Sequence, residues 1–94
     1  MRSCVSSAWR IEYEPLALKQ LKKIDRAAAV RLVKTLQRDL DRHDDPRAFG
    51  EAMIGNWTGF WRYRVGDYRA ICRIDNEVVT VFVIEIGHRR EVYR

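Results

Sequence analysis

Cysteine is scarce in this chain: Cys4 and Cys72 are the two in 94 residues, and their spacing supports neither a disulfide framework nor a zinc cluster. Two reduced thiols are expected, and Cys72, in an alternating apolar segment, reads as a small buried hydrophobe rather than a nucleophile. No glycine-rich loop runs into a lysine and a serine, and no serine–histidine–carboxylate arrangement stands out, so nucleotide hydrolysis and triad chemistry are disfavoured. His43 lies beside Asp41, Asp44 and Asp45 without a second histidine or cysteine at ligand spacing. It reads as a helix-terminal cap, and no metal or cofactor is expected. The first seven residues lack the apolar run of a secretion signal and no segment reaches membrane-spanning length, so a cytoplasmic protein without a membrane partner is expected. Lysine, finally, is missing from the last 35 residues, where seven arginines take its place.

What is present fits one small domain over residues 1–94, its core beginning at about residue 8, since 47% of the chain is hydrophobic. The net charge of +5 favours a polyanion or an acidic protein as partner. Residues 1–59 carry 11 basic and 8 acidic side chains and residues 60–94 carry 7 and 5, so the basic excess is nearly even. Placement, rather than total charge, carries the signal.

Residues 8–14 alternate Trp9, Ile11 and Tyr13 with Arg10, Glu12 and Glu14, the pattern of a half-buried strand. Pro15 suits a first helical position, and Leu18, Leu21 and Ile24 form an apolar stripe on a helix from about 15 to 24. Asp25 is placed to cap a second helix, about 26–42, whose apolar face is Ala29, Leu32, Val33, Leu36 and Leu40; Asp44-Asp45-Pro46 ends it. Residues 46–59 show no period and read as a connection with room for one short turn. From Phe60 the pattern is three strands, about 60–65, 68–74 and 77–86, joined at Gly66-Asp67 and Asp75-Asn76. The expected architecture is α+β: an antiparallel four-stranded sheet with two helices packed on one face, in the order β-α-α-β-β-β.

A two-residue turn at Gly66-Asp67 sets Val65 opposite Tyr68 and Arg64 opposite Arg69. Alternation then puts Trp61, Tyr63, Val65, Tyr68, Ala70 and Cys72 on the helix-packed face with Val79, Val81 and Val83. Arg62, Arg64, Arg69, Ile71 and Arg73 fall on the other face, joined by Val78, Phe82, Ile84 and Ile86. Two arginines directly opposed destabilise a sheet unless an anion or carboxylate neutralises them, so Arg64 and Arg69 are the leading candidates for clamping a phosphate. The alternative is an ion pair with Glu12, Glu85 or Glu91. Arg62 and Arg73 are further phosphate candidates, or else rim residues of a solvated sheet. Arg89 and Arg90 follow a strand end, Tyr93 suits stacking on a base or pinning the tail, and His88 is the one nearby side chain with a proton affinity near neutrality. Lys19, Lys22, Lys23 and Lys34 all lie in the helical half, where a solvated helix face is the ordinary explanation.

Over about residues 9–94 the chain resembles the RelE family of bacterial toxins, within the larger RelE/ParE group. The resemblance is carried by Arg10-Ile11-Glu12-Tyr13, by Ala17-Leu18-Lys19-Gln20-Leu21-Lys22-Lys23-Ile24, and more specifically by Trp61 to Arg69 and by Gly87-His88-Arg89-Arg90-Glu91-Val92-Tyr93. It implies a toxin of a type II toxin–antitoxin system that enters the A site of the 70S ribosome and cuts messenger RNA. The reaction the resemblance implies is metal-independent and leaves 2′,3′-cyclic phosphate and 5′-hydroxyl ends. It further implies a small acidic antitoxin as partner and operator DNA bound mainly through that antitoxin, which is expected to cover the surface around Ile71, Phe82 and the arginines. By the motif match Arg64, Arg69, Arg89 and Tyr93 are the catalytic set, His88 a candidate base, and Arg62, Arg73 and Arg90 contact RNA. The best studied family pattern has lysine where this chain has Arg62 and Arg64, and arginine is a poor proton acceptor because it stays cationic. The alternatives are a ParE-like inhibitor of DNA gyrase and a non-catalytic, antitoxin-bound co-regulator of the operon.

Overall fold

The computed structural model of the chain describes residues 9–43 and 45–88. Strand β1 (Arg10–Tyr13) leads into helices α1 (Pro15–Lys23) and α2 (Arg26–Arg42), and these are followed by strands β2 (Glu51–Ala52), β3 (Trp61–Val65), β4 (Tyr68–Asp75) and β5 (Thr80–His88). Pro15 opens α1 without leaving an unsatisfied amide, and the Asp25 carboxylate accepts from the Ala28 amide at 3.2 Å to cap α2. Gly66 has φ 61 at the first central position of the β3–β4 turn, as a type II′ hairpin requires.

The strands form a five-stranded sheet in the order β1-β5-β4-β3-β2, with β1 parallel to β5 and the other neighbours antiparallel. This corrects the expected four-stranded antiparallel sheet and its β-α-α-β-β-β order in two respects. The first strand's alternation reports which side chains share a face and is blind to strand direction, so it could not reveal a parallel pairing. Strand β2 is two exposed residues long, too short for any period. The connection at 46–59 therefore holds a strand and two 3₁₀ turns, Pro46–Phe49 and Gly55–Trp57, rather than a single turn.

The core lies between the helices and one face of the sheet, where Ala17, Leu32, Leu36 and Leu40 meet Tyr63, Val65, Ala70, Cys72, Val81, Val83 and Ile86. Each fully buried leucine contributes about 2 kcal/mol through apolar area removed from water. Trp9, Ile11 and Tyr13 pack against the same cluster from β1. Burial pushes the Tyr13 hydroxyl up to about 12 and raises the Cys72 thiol well above its ordinary value, so Cys72 is a packed, protonated side chain. Gly50 is required here: a Cβ on it would overlap the Tyr63 ring, whose hydroxyl donates to the Pro46 carbonyl at 2.9 Å.

Three details of the apolar pattern also need correction. Leu18 and Val33 are not core residues but remain 46% and 36% exposed, while Ala17 takes the buried position on α1. Val79 lies in the turn before β5 with φ 50, a left-handed conformation that is strained for a β-branched residue. Most consequentially, a β-bulge shifts the β4–β5 register, so Cys72 faces Val83 but Ile71 faces Glu85 and Ala70 faces Ile86. Ile86, expected on the arginine face, is therefore 1% exposed in the core. Residues 81–84 are apolar at both parities, so no break in alternation marks the bulge. Beyond it α1 takes over from β1 as the neighbour of β5, and the Gln20 Oε1 accepts from the Ile86 amide at 2.6 Å.

Candidate nucleic-acid interface

On the sheet face away from the helices, Arg64 stands opposite Arg69 and Arg62 opposite Ile71. The two-residue β2 adds Glu51 directly across from Arg62. Arg62 donates from Nε to the Glu51 Oε1 at 2.9 Å and from Nη2 to the same oxygen. Those hydrogen bonds first, then the charge of Arg62, with Arg64 and Arg69 adding to it, hold the Glu51 carboxyl below its usual range. The Glu51 carboxylate thus feels the charge of all three guanidinium groups. Beyond Glu51-Ala52 the edge of β3 has no strand partner among the described residues, and an open cleft of about 240 Å³ lies there between Phe49, Glu51, Arg62 and Arg64.

Glu51 was missed as a partner of this site because it falls in a stretch without periodicity, 11 residues before Arg62. The carboxylates considered from sequence were Glu12, Glu85 and Glu91. Glu85 lies across from Ile71 in the register, and Glu12 pairs with Arg10 at 3.2 Å.

Arg73 is on the same face but apart from the cluster. It lies four positions along β4 from Arg69, about 13 Å of extended chain. Its guanidinium sits 4.4 Å over the Phe82 ring, and its Nη1 is 3.5 Å from an Asp75 carboxylate oxygen. Between the two regions Ile71 is fully buried beneath Met53, Trp57 and Phe60, with Trp57 and Phe60 in an edge-to-face contact at 5.6 Å. Ile71, expected at the centre of an apolar patch awaiting a partner, is therefore covered by the chain's own 53–60 segment, while Phe82 and Ile84 of that patch stay half-buried.

His88 is on the helix side of the sheet. It stands opposite Tyr68 with the two rings edge-on at 5.8 Å, and it lines a separate cleft with Gln20, Lys23 and Asp25. The structure thus brings Arg62, Arg64 and Arg69 together and keeps Arg73 and His88 apart from them. Arg89, Arg90 and Tyr93 lie outside the described residues. Among the described residues no three histidine, cysteine or carboxylate side chains are grouped to hold a metal ion, and no helix is long and apolar enough to cross a membrane. An exposed apolar groove does occur on the outer side of the helices, lined by Leu21, Ala29, Val30, Val33 and Lys34.

The family model for the ParE toxin of type II toxin-antitoxin system, parDE, matches residues 11–93. The chain belongs to this toxin family. Toxin RelG of Mycobacterium tuberculosis is 28% identical over 86 residues, covering 92% of this chain and 97% of that protein. The toxin–antitoxin complex RelBE2 of the same organism contains a chain of like fold, with a TM-score of 0.78 and 27% identity over 90% of this chain and 100% of that one. Isolated E. coli RelE toxin shares the fold at a TM-score of 0.67, with 24% identity over 92% of each chain. The toxin described here therefore joins the RelE/ParE/RelG group on sequence and on fold.

Proposed function

We propose that this toxin is a ribosome-dependent mRNA endoribonuclease. The observation that carries the reading is the direct opposition of Arg64 and Arg69 beside Arg62, three guanidinium groups on one open sheet face. Such a group is suited to a phosphodiester whose negative charge grows in the transition state. In the reaction the ribose 2′-oxygen bonds to phosphorus as the bond to the 5′-oxygen breaks. The 2′-hydroxyl proton passes to solvent or to a ribosomal group, and a proton arrives on the departing oxygen. Arg64 stabilises the attacking oxygen and the phosphorane, Arg69 holds a non-bridging oxygen, Arg89 offsets charge at the leaving oxygen, and Tyr93 stacks on an unpaired base. Arg62, Arg73 and Arg90 contact the RNA backbone. His88, on the helix side, has no part in this scheme.

The toxin–antitoxin complex RelBE2, which contains a chain of like fold, supports a cognate antitoxin for this chain as well. Its docking surface is better sought at the apolar groove of Leu21, Val30 and Val33 than around the covered Ile71. Operator DNA would then be reached mainly through the antitoxin.

The purified toxin, freed of antitoxin, is expected to cleave mRNA on programmed ribosomes and to leave a cyclic phosphate end. Arg64→Ala, Arg69→Ala and Arg89→Ala should each slow cleavage by about 30- to 1000-fold, the effect of losing about 2–4 kcal/mol of transition-state stabilisation. An unchanged rate in Arg64→Ala and Arg69→Ala eliminates this centre, and a slow His88→Ala would return that residue to the reaction. The ParE description of the matching family favours a second reading, inhibition of DNA gyrase. Intact mRNA together with inhibited gyrase would establish it.

A further inference from the structure

We propose that the Glu51 carboxylate is a built-in stand-in for an RNA phosphate, and that binding of single-stranded RNA transfers the Arg62 guanidinium from Glu51 to a phosphodiester. The inference rests on the reading of the arginine face as an RNA surface and goes further by assigning a phosphate subsite and the device that occupies it. Three observations support it. Glu51 accepts from the Nε and the Nη2 of Arg62 on one oxygen, the same donor fork that arginine offers to phosphate. The pair borders an open cleft that also includes Phe49 and Arg64, so an incoming anion reaches Arg62 without any change of backbone. The pair is also mismatched in exposure: the Glu51 side chain is 56% exposed against 23% for Arg62, so the acid can swing into water while the guanidinium keeps its place.

The surroundings explain why a placeholder is needed. Arg62, Arg64 and Arg69 come from two adjacent strands, and without an anion their mutual repulsion would drive the long side chains apart. Glu51 relieves part of that repulsion in the free protein and keeps Arg62 in a phosphate-ready orientation. An exposed ion pair is weak, so the exchange costs little. Arg62 is then a binding residue, while Glu51 is a positioning residue that acts through it.

The test is equilibrium binding of a short 2′-O-methyl oligoribonucleotide, which cannot be cleaved, measured over a range of salt concentrations without ribosomes. Glu51→Gln is expected to bind about three- to fivefold more tightly at low salt, the scale of one exposed ion pair. Its log–log salt dependence should keep the wild-type slope, because Arg62 reaches a phosphate in both complexes, whereas Arg62→Ala should lower that slope by about 0.7, one phosphate contact on a single strand. Glu51→Ala should change binding in the same direction, which separates loss of the charge from any effect of the glutamine amide. In Arg62→Ala the gain should vanish, so that Glu51→Gln added to Arg62→Ala changes nothing. Weaker or unaltered binding by Glu51→Gln, with Arg64→Ala and Arg69→Ala still weakened, overturns the role of Glu51 alone. Equal binding by the wild type and all the arginine variants overturns the RNA reading of this face as well. A Glu51→Gln protein that binds normally but no longer cleaves would make Glu51 a proton acceptor and likewise end the placeholder account.

Discussion

The two faces of the sheet solve opposite problems with the same strands. Toward the helices, β3, β4 and β5 present Tyr63, Val65, Ala70, Cys72, Val81, Val83 and Ile86, all buried against α1 and α2. Away from them the intervening residues bring Arg62, Arg64 and Arg69 into a cluster whose like charges oppose one another. The first face buries its side chains together; the second sets the like charges of Arg64 and Arg69 directly across from each other. The contrast shows that the period-2 geometry of a strand can carry a stabilising program and a binding program on alternate residues.

The largest expected effect lies on the helix face. Leu32→Ala removes a fully buried side chain from between α2 and the sheet and should lower stability by about 3 kcal/mol in urea unfolding. A loss below about 1 kcal/mol would mean that the helix layer is loosely packed and that the contrast between faces is overstated. Ile71→Ala tests the thinner apolar cover on the arginine face. The loss there should be smaller, about 2 kcal/mol, because Met53, Trp57 and Phe60 can settle into the space, and it should come with altered Trp57 fluorescence. A cost exceeding that of Leu32→Ala would show the 53–60 segment to be as rigid as the helices. Smallest is the effect of Arg64→Ala on stability, a gain of a few tenths of a kcal/mol, roughly what relief of one cross-strand like-charge pair supplies. That variant is also expected to lose RNA cleavage. A stability loss at low salt would show Arg64 to be part of the scaffold rather than a group held against the scaffold's interest.

Much of this division was legible before any coordinates. The two-residue turn fixed by Gly66-Asp67 set Arg64 against Arg69, and the alternation of Trp9, Ile11 and Tyr13 assigned the inward face of β1. Both follow from local chemistry, a glycine with positive φ and a polar–apolar period. What escaped depended on relations between distant segments. The parallel pairing of β1 with β5 leaves no mark on either strand's pattern. Glu51 and the Met53–Trp57–Phe60 cover come from a stretch whose structure is set by the sheet it lies against. Leu18 and Val33 continue a helical stripe that is wider than the surface available to bury it, and the excess forms part of an exposed apolar exterior. Of the motif-matched site, Arg62, Arg64 and Arg69 fall together, whereas the bulge carries His88 to the other side.

That bulge has a further consequence for what can evolve here. Counting without it from the Cys72–Val83 pair, position 86 would stand opposite Arg69 and an isoleucine would crowd the arginine pair. With it the residue opposite Arg69 is Gly87, which has no side chain to obstruct an approaching ligand. Deleting the extra residue, Ile84, would leave Ile86 opposite Ala70 and Gly87 opposite Arg69, whereas inserting one residue between Glu85 and Ile86 would place Ile86 opposite Arg69 and leave a hole in the core. Length differences among relatives are therefore expected at the bulge itself and not between Glu85 and Gly87, where one added residue exchanges the core and ligand faces.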